Sequence, residues 1–187
     1  WIVQKRSCEA LAEIGKPSLE PIADALLKAQ APQDYWLMLA LSKIQPDGLA
    51  TLENVLITND ESFRWDKKEA LGRIGEVLVP VFERLYEQPE KDIRLFAVTC
   101  LGDLSLSRSA DTLLLSALSD PSWSIRKVAA DCLAARGPAM LDRLSLALET
   151  GSEDLRYWVT YIFRKMGDIG ISYLIKALGD SNKNIAY

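Results

Sequence analysis

The chain repeats itself. With Leu11 as origin, equivalent large apolar residues recur at Leu41, Leu71, Leu101, Leu133 and Phe163, at intervals of 30, 30, 30, 32 and 30 residues. Such a period constrains a chain more than local propensity does, because one period is a supersecondary unit too small to bury an interior of its own. Around each anchor the apolar positions fall at −8, −5, −4, −1 and +3, as in Ile93, Phe96, Ala97, Cys100, Leu101 and Leu104, which is one stripe of an α-helix. Four residues past the anchors stand Gly15, Gln45, Gly75, Ser105, Gly137 and Gly167. They are mostly glycine, which enters the left-handed conformation that ends a helix without a Cβ penalty. A second amphipathic helix follows each stop. Its inward residues are Leu19, Ile22 and Leu26, then Leu49, Leu52 and Leu56, then Leu141, Leu144 and Leu148, then Ile171, Leu174 and Leu178. Pro17, Pro46 and Pro138 stand at or just before these second helices, where a missing amide donor costs little.

The fold class that follows is all-α: an α-α superhelix, or solenoid, of about six stacked antiparallel helix pairs with a period of about 30 residues, each pair completing its interior against the next. Residues 1–187 are expected to form one repeat domain. Trp1 falls inside a helix and the Asn182–Tyr187 stretch opens another, so the sequence reads as a segment of a longer chain. Open end repeats would favour self-association.

Composition narrows the chemistry. The 187 residues hold 22 Lys plus Arg against 26 Asp plus Glu, a formal charge of −4, and no histidine. Without imidazole there is no Ser-His-Asp or Cys-His catalysis and no histidine-held zinc or iron site, so neither cofactor nor metal is expected. No nucleophile and base with a third orienting group can be assigned, and phosphate-binding glycine motifs are missing. Cys8, Cys100 and Cys132 lie far apart without CxxC spacing, which points to a reducing, cytoplasmic compartment. At −1 or −3 from their anchors they are expected to fill core slots as inert thiols. Apolar runs such as Val77 to Phe82 are far shorter than the roughly 18 residues that span a membrane. A sequence pI near 5.0 with scattered cations gives little attraction for nucleic acid.

The segments IRLFAVTCLGDLS from Ile93, IRKVAADCLAARG from Ile125 and FRWDKKEALGRIG from Phe63 resemble the second helix of short HEAT repeats, of the phycobilisome-lyase-like subtype. Arg64, Arg94, Arg126 and Arg156, each seven residues before an anchor, match the arginine ladder of HEAT repeats, with departures at Gln4 and Asp34, and Asp120 fits its companion aspartate. The resemblance implies that each arginine ties adjacent repeats through backbone or carboxylate groups. It also implies that the anchored helices line a concave surface. Deoxyhypusine hydroxylases of this repeat class hold iron with His-Glu pairs, which a histidine-free chain cannot supply.

A rotation of about 100° per residue turns −6, −2 and +2 away from the core. Tyr35, Leu39, Trp65, Leu95, Tyr157 and Tyr161 occupy −6 or −2, with Lys43, Arg73, Asp103 and Lys165 at +2. This charge-rimmed aromatic stripe is the candidate binding site for a peptide or partner subunit. Against it, small residues at +1 (Ala12, Ser42, Gly72, Gly102, Ala134) suggest close helix approach that could cover the −6 side chains. Asp66 and Lys67 break the pattern by placing charges at −5 and −4. Either the helix start is loosened and Lys67 reaches out to solvent, or Arg64, Trp65, Asp66 and Lys67 mark a recognition or hinge site.

The function expected is that of a non-catalytic protein-interaction scaffold. The alternative, implied by the resemblance, is a bilin lyase-like or chromophore-handling subunit of a phycobiliprotein system.

Overall fold

Glycine marks the helix ends as the repeat requires. In a computed structural model describing residues 1–104 and 107–179, Gly15, Gly75, Gly137 and Gly167 all have positive φ, between 61° and 89°. Ser105 and the Asn182–Tyr187 stretch lie outside the described residues.

Twelve α-helices are formed among the described residues: α1 (Ile2–Ile14), α2 (Leu19–Leu26), α3 (Gln33–Lys43), α4 (Asp47–Thr58), α5 (Glu61–Ile74), α6 (Val79–Tyr86), α7 (Lys91–Asp103), α8 (Arg108–Ala117), α9 (Trp123–Ala135), α10 (Leu141–Thr150), α11 (Glu153–Lys165) and α12 (Ile171–Ala177). The odd-numbered helices from α1 to α11 carry the anchors. Short 3₁₀ turns, Lys16–Ser18, Glu76–Leu78, Gly137–Met140 and Gly167–Gly170, lead into α2, α6, α10 and α12, and Pro17 and Pro138 sit in two of them.

The chain divides into two compact units, Trp1–Cys100 and Leu101–Tyr187. In the first, α3 packs against α2, α4, α1 and α5, and α4 against α2 and α6. In the second, α9 packs against α8 and α11, and α11 also against α10 and α12. Packing on the sequence neighbour and on the helix after next is the stacking of an α-solenoid. Leu41, Leu71, Leu101, Leu133 and Phe163 are fully buried, and so is the inward row of α7 from Ile93 to Leu104. Leu11 is only half-buried, on a helix that packs mainly against α3. The expected inner face of α12 is also incomplete: Ile171 and Leu178 are exposed and Leu174 half-buried, on a helix that packs mainly against α11 and reaches α10 through the Lys176–Glu149 pair.

Arg64 and Arg126 do the joining that the resemblance implies. Arg64 is buried; its Nη1 donates to Leu56 O at 3.2 Å and Asn59 O at 2.6 Å, closing the turn before α5, and its Nη2 pairs with Asp92 on α7. Arg94 Nη1 donates to Gln88 O and Pro89 O, and Arg126 Nη1 to Asp120 O and Pro121 O. Arg126 Nε also lies 3.8 Å from Asp154 on α11. Asp120 is buried and its Oδ1 accepts from Ser122 N at 2.7 Å at the entrance to α9.

Asp66 and Lys67 part company. Asp66 is exposed and does not enter the core row. Lys67 does not reach solvent as expected; it is 5% exposed, its Nζ donates to Ala29 O at 2.6 Å and stands 3.7 Å from Asp34 Oδ2. Asp34 is itself 3% exposed and its Oδ1 accepts from Tyr35 N at 2.7 Å. Two departures from the repeat therefore answer each other: an acid where α3 should carry the ladder arginine, and a base where α5 should carry an apolar residue.

Candidate functional site

In the first unit Tyr35, Leu39, Trp65 and Leu95 are all half-buried. Tyr35 lies under the Arg73 guanidinium, 4.5 Å from its ring centroid, and edge-on to Trp36 at 5.1 Å. Tyr35 and Leu39 share an open cleft of about 200 Å³ between α1 and α3 with Trp36, Lys5, Glu9 and Lys43. Trp65 and Leu95 do not line that cleft. The edge of Trp65 meets Phe96 of α7 at 5.4 Å, and its indole N–H donates to Glu61 Oε1 at 3.1 Å. Adjoining helices thus cover part of each −6 ring and leave part in water. Of the small +1 residues, Gly102 does mediate close approach, since a Cβ there would stand 2.2 Å from Cys132 Sγ, whereas one on Gly72 would meet nothing within 4 Å.

In the second unit Tyr157 is 47% exposed and Tyr161 half-buried. They flank Trp158, a buried core residue, with both centroid separations 5.6 Å. Trp123, at the start of α9 and 59% exposed, approaches the same indole at 6.1 Å. Trp123 was missed by a reading confined to −6, −2 and +2, since it stands ten residues before Leu133. Arg126 lies over Trp158 and Arg164 over Tyr161. The Trp158 indole N–H is buried without an acceptor among the described residues.

A charge network borders these rings. Asp131 accepts from Lys127 Nζ at 2.7 Å and from the Tyr161 hydroxyl at 3.0 Å, and lies 3.3 Å from Lys165 Nζ. Burial pushes its carboxyl up, but hydrogen bonds from Lys127, Tyr161 and Lys165 outweigh this and hold it below the ordinary aspartate value.

Cys8 and Cys100 are buried and Cys132 is half-buried, all three as free thiols. Burial raises the Cys8 thiol pKa above its ordinary value, the opposite of activation. Among the described residues no group of three or more Cys, Asp or Glu could hold a metal ion. No helix among them is long and apolar enough to cross a membrane. The site is a set of half-exposed rings fixed by packing and bordered by charge.

The matched-family finding fits this geometry. Residues 78–162 match the family of HEAT repeats. The matched segment runs from the turn before α6 into α11 and contains Arg94, Arg126 and Arg156. No curated protein matches the chain. Among solved structures it is similar to an engineered protein at 17% identity and TM-score 0.41, covering 98% of this chain and 62% of that one. It is also similar to a designed armadillo repeat protein in complex with the peptide (KR)4, at 13% identity and TM-score 0.35, covering 97% of this chain and 86% of that one. A second engineered protein matches at 15% identity and TM-score 0.34, covering 97% and 85%.

Proposed function

We propose that this chain is a non-catalytic scaffold that docks a peptide or partner subunit on the outward stripe of its anchored helices. The observation that carries the reading is the state of the −6 and −2 aromatics. Tyr35, Tyr157 and Tyr161 keep part of each ring in water while Arg73, Trp158 and Asp131 hold them in place. A half-exposed ring whose rotamer is already fixed loses little entropy when a partner covers it. The helix stack beneath supplies rigidity without a reaction centre. The partner is a protein in a cytoplasmic setting.

The test is a comparison of immobilised wild-type chain with a Tyr35→Ala, Trp65→Ala, Tyr157→Ala triple variant of equal helicity. Proteins retained by the first and lost by the second support docking on the stripe; identical retention removes it. The alternative, bilin handling by a repeat of the phycobilisome-lyase-like subtype, draws support from the α1–α3 cleft, where aromatic rings stand beside Lys5 and Lys43. Free bilin added to the protein would then shift its absorbance band, and an unchanged spectrum argues against it.

A further inference from the structure

The scaffold reading leaves open what kind of segment is bound, and the second unit carries a feature that decides it. The chain as a whole is acidic, with a formal charge of −4. Around Tyr157 and Tyr161 the sign is reversed. Along α9 and α11 five cations, Arg126, Lys127, Arg156, Arg164 and Lys165, stand against three carboxylates, Asp131, Glu153 and Asp154, and at the Tyr161 end Lys127, Arg164 and Lys165 surround Asp131. Arg126 is offset by Asp154. The network is also open to a ligand: the Lys127 and Lys165 side chains are 40% and 47% exposed and Arg164 is exposed.

We propose that the α9–α11 face binds an acidic peptide segment carrying at least one large apolar side chain, which lies against Trp123 and Tyr157 while its carboxylates meet Lys127, Arg164 and Lys165. The inference rests on the docking function above and assigns its ligand class. The ring faces argue against a basic segment independently of net charge. A cationic ligand would seek the half-exposed face of Tyr161, but Arg164 already lies over it, 5.0 Å from the ring centroid. A basic peptide would meet like charge at Tyr161 and at the exposed Lys127 and Lys165 beside it. An acidic one finds donors at the rim and two exposed rings, Trp123 and Tyr157, between which to insert an apolar group. Asp131 is shared between Lys127 and Lys165, two cations against one anion, so the cluster presents a net positive charge to an incoming carboxylate.

The experiment is selection from a random-peptide display library on the immobilised chain, followed by anisotropy titration of the enriched peptides at two salt concentrations. The expected outcome is enrichment of peptides rich in Asp and Glu with a Phe, Trp or Leu. Their binding should weaken about tenfold in Lys165→Glu and recover in Lys165→Arg, and weaken comparably in Tyr157→Ala at unchanged helicity. Enriched peptides that are neutral or basic and still depend on Tyr157 overturn the acidic assignment while leaving the docking function intact. Binding of the enriched peptides that ignores both Lys165→Glu and Tyr157→Ala overturns this face as their site. Absence of any enrichment overturns the assignment and the docking function together.

Discussion

Removing the carboxylate of Asp34 should be among the most damaging single changes to the first unit. Asp34 and Lys67 have side chains 4% and 6% exposed and an N···O separation of 3.7 Å. At an effective dielectric constant near 20 their attraction is about 4 kcal/mol, most of which offsets the desolvation of the two charges. Asp34→Ala removes the attraction and leaves the desolvation: Lys67 keeps Ala29 O but holds a buried, unbalanced charge. Removing one partner of such a pair costs about 3–5 kcal/mol. Replacing both, as Asp34→Leu with Lys67→Met, strands no charge and should cost less than about 1 kcal/mol or stabilise. Urea unfolding followed by circular dichroism gives all four corners of the double-mutant cycle, with the slope inspected because repeat arrays can lose two-state behaviour. The reasoning is refuted if Asp34→Ala costs under about 1 kcal/mol, which would mean that Lys67 escapes to solvent as readily as a surface lysine.

Other expectations test separate contacts. Arg136 donates through Nη2 to Leu101 O at 2.9 Å, through Nη1 to Leu104 O, and lies 3.1 Å from the buried Asp111, so Arg136→Ala should destabilise the second unit by about 2–4 kcal/mol in thermal unfolding. Gly102→Ala drives a methyl into Cys132 and should cost about 1–3 kcal/mol, whereas Gly72→Ala, with open space and ordinary helical backbone, should gain up to about 1 kcal/mol; opposite signs are the diagnostic. The lowered Asp131 pKa means its interactions add stability above the unfolded aspartate value and lose it as pH falls through the folded one. Asp131→Asn should therefore flatten the acid limb of stability below about pH 4 and leave the neutral region with a constant offset. Thiol labelling should modify the half-buried Cys132 first and reach Cys8 and Cys100 only on unfolding.

The repeat was readable because its signals are periodic and backbone-level: glycines with positive φ, buried anchors, and arginines whose donors close the same turn in successive hairpins. Pairing between repeats was not. Asp34 and Lys67 each look like a defect when read along one helix, and only stacking of α3 on α5 makes them a pair. Arg136 similarly reads as an ordinary helix-end cation until α9 is seen delivering it to the last turn of α7, where Ser105 replaces the glycine of other repeats. The aromatic stripe was legible as a pattern at −6 and −2, but how much of each ring is covered depends on the next helix. Phe96 over Trp65 and Arg73 over Tyr35 could not be assigned from spacing. Trp123 and Trp158 escaped notice as a cluster because one precedes the helix face and the other belongs to the core row.

The central claim, that hairpins of about 30 residues stack as interchangeable units, is tested most directly by deletion in and out of register. Removing residues 61–90 joins Asp60 to Lys91 and puts Arg94 where Arg64 stood; a companion Asp34→Leu avoids stranding a carboxylate. The account predicts that this protein keeps its helicity per residue and a cooperative unfolding transition, while removal of residues 61–75 alone loses both. Equal collapse of the two deletions, or equal tolerance of them, would contradict it.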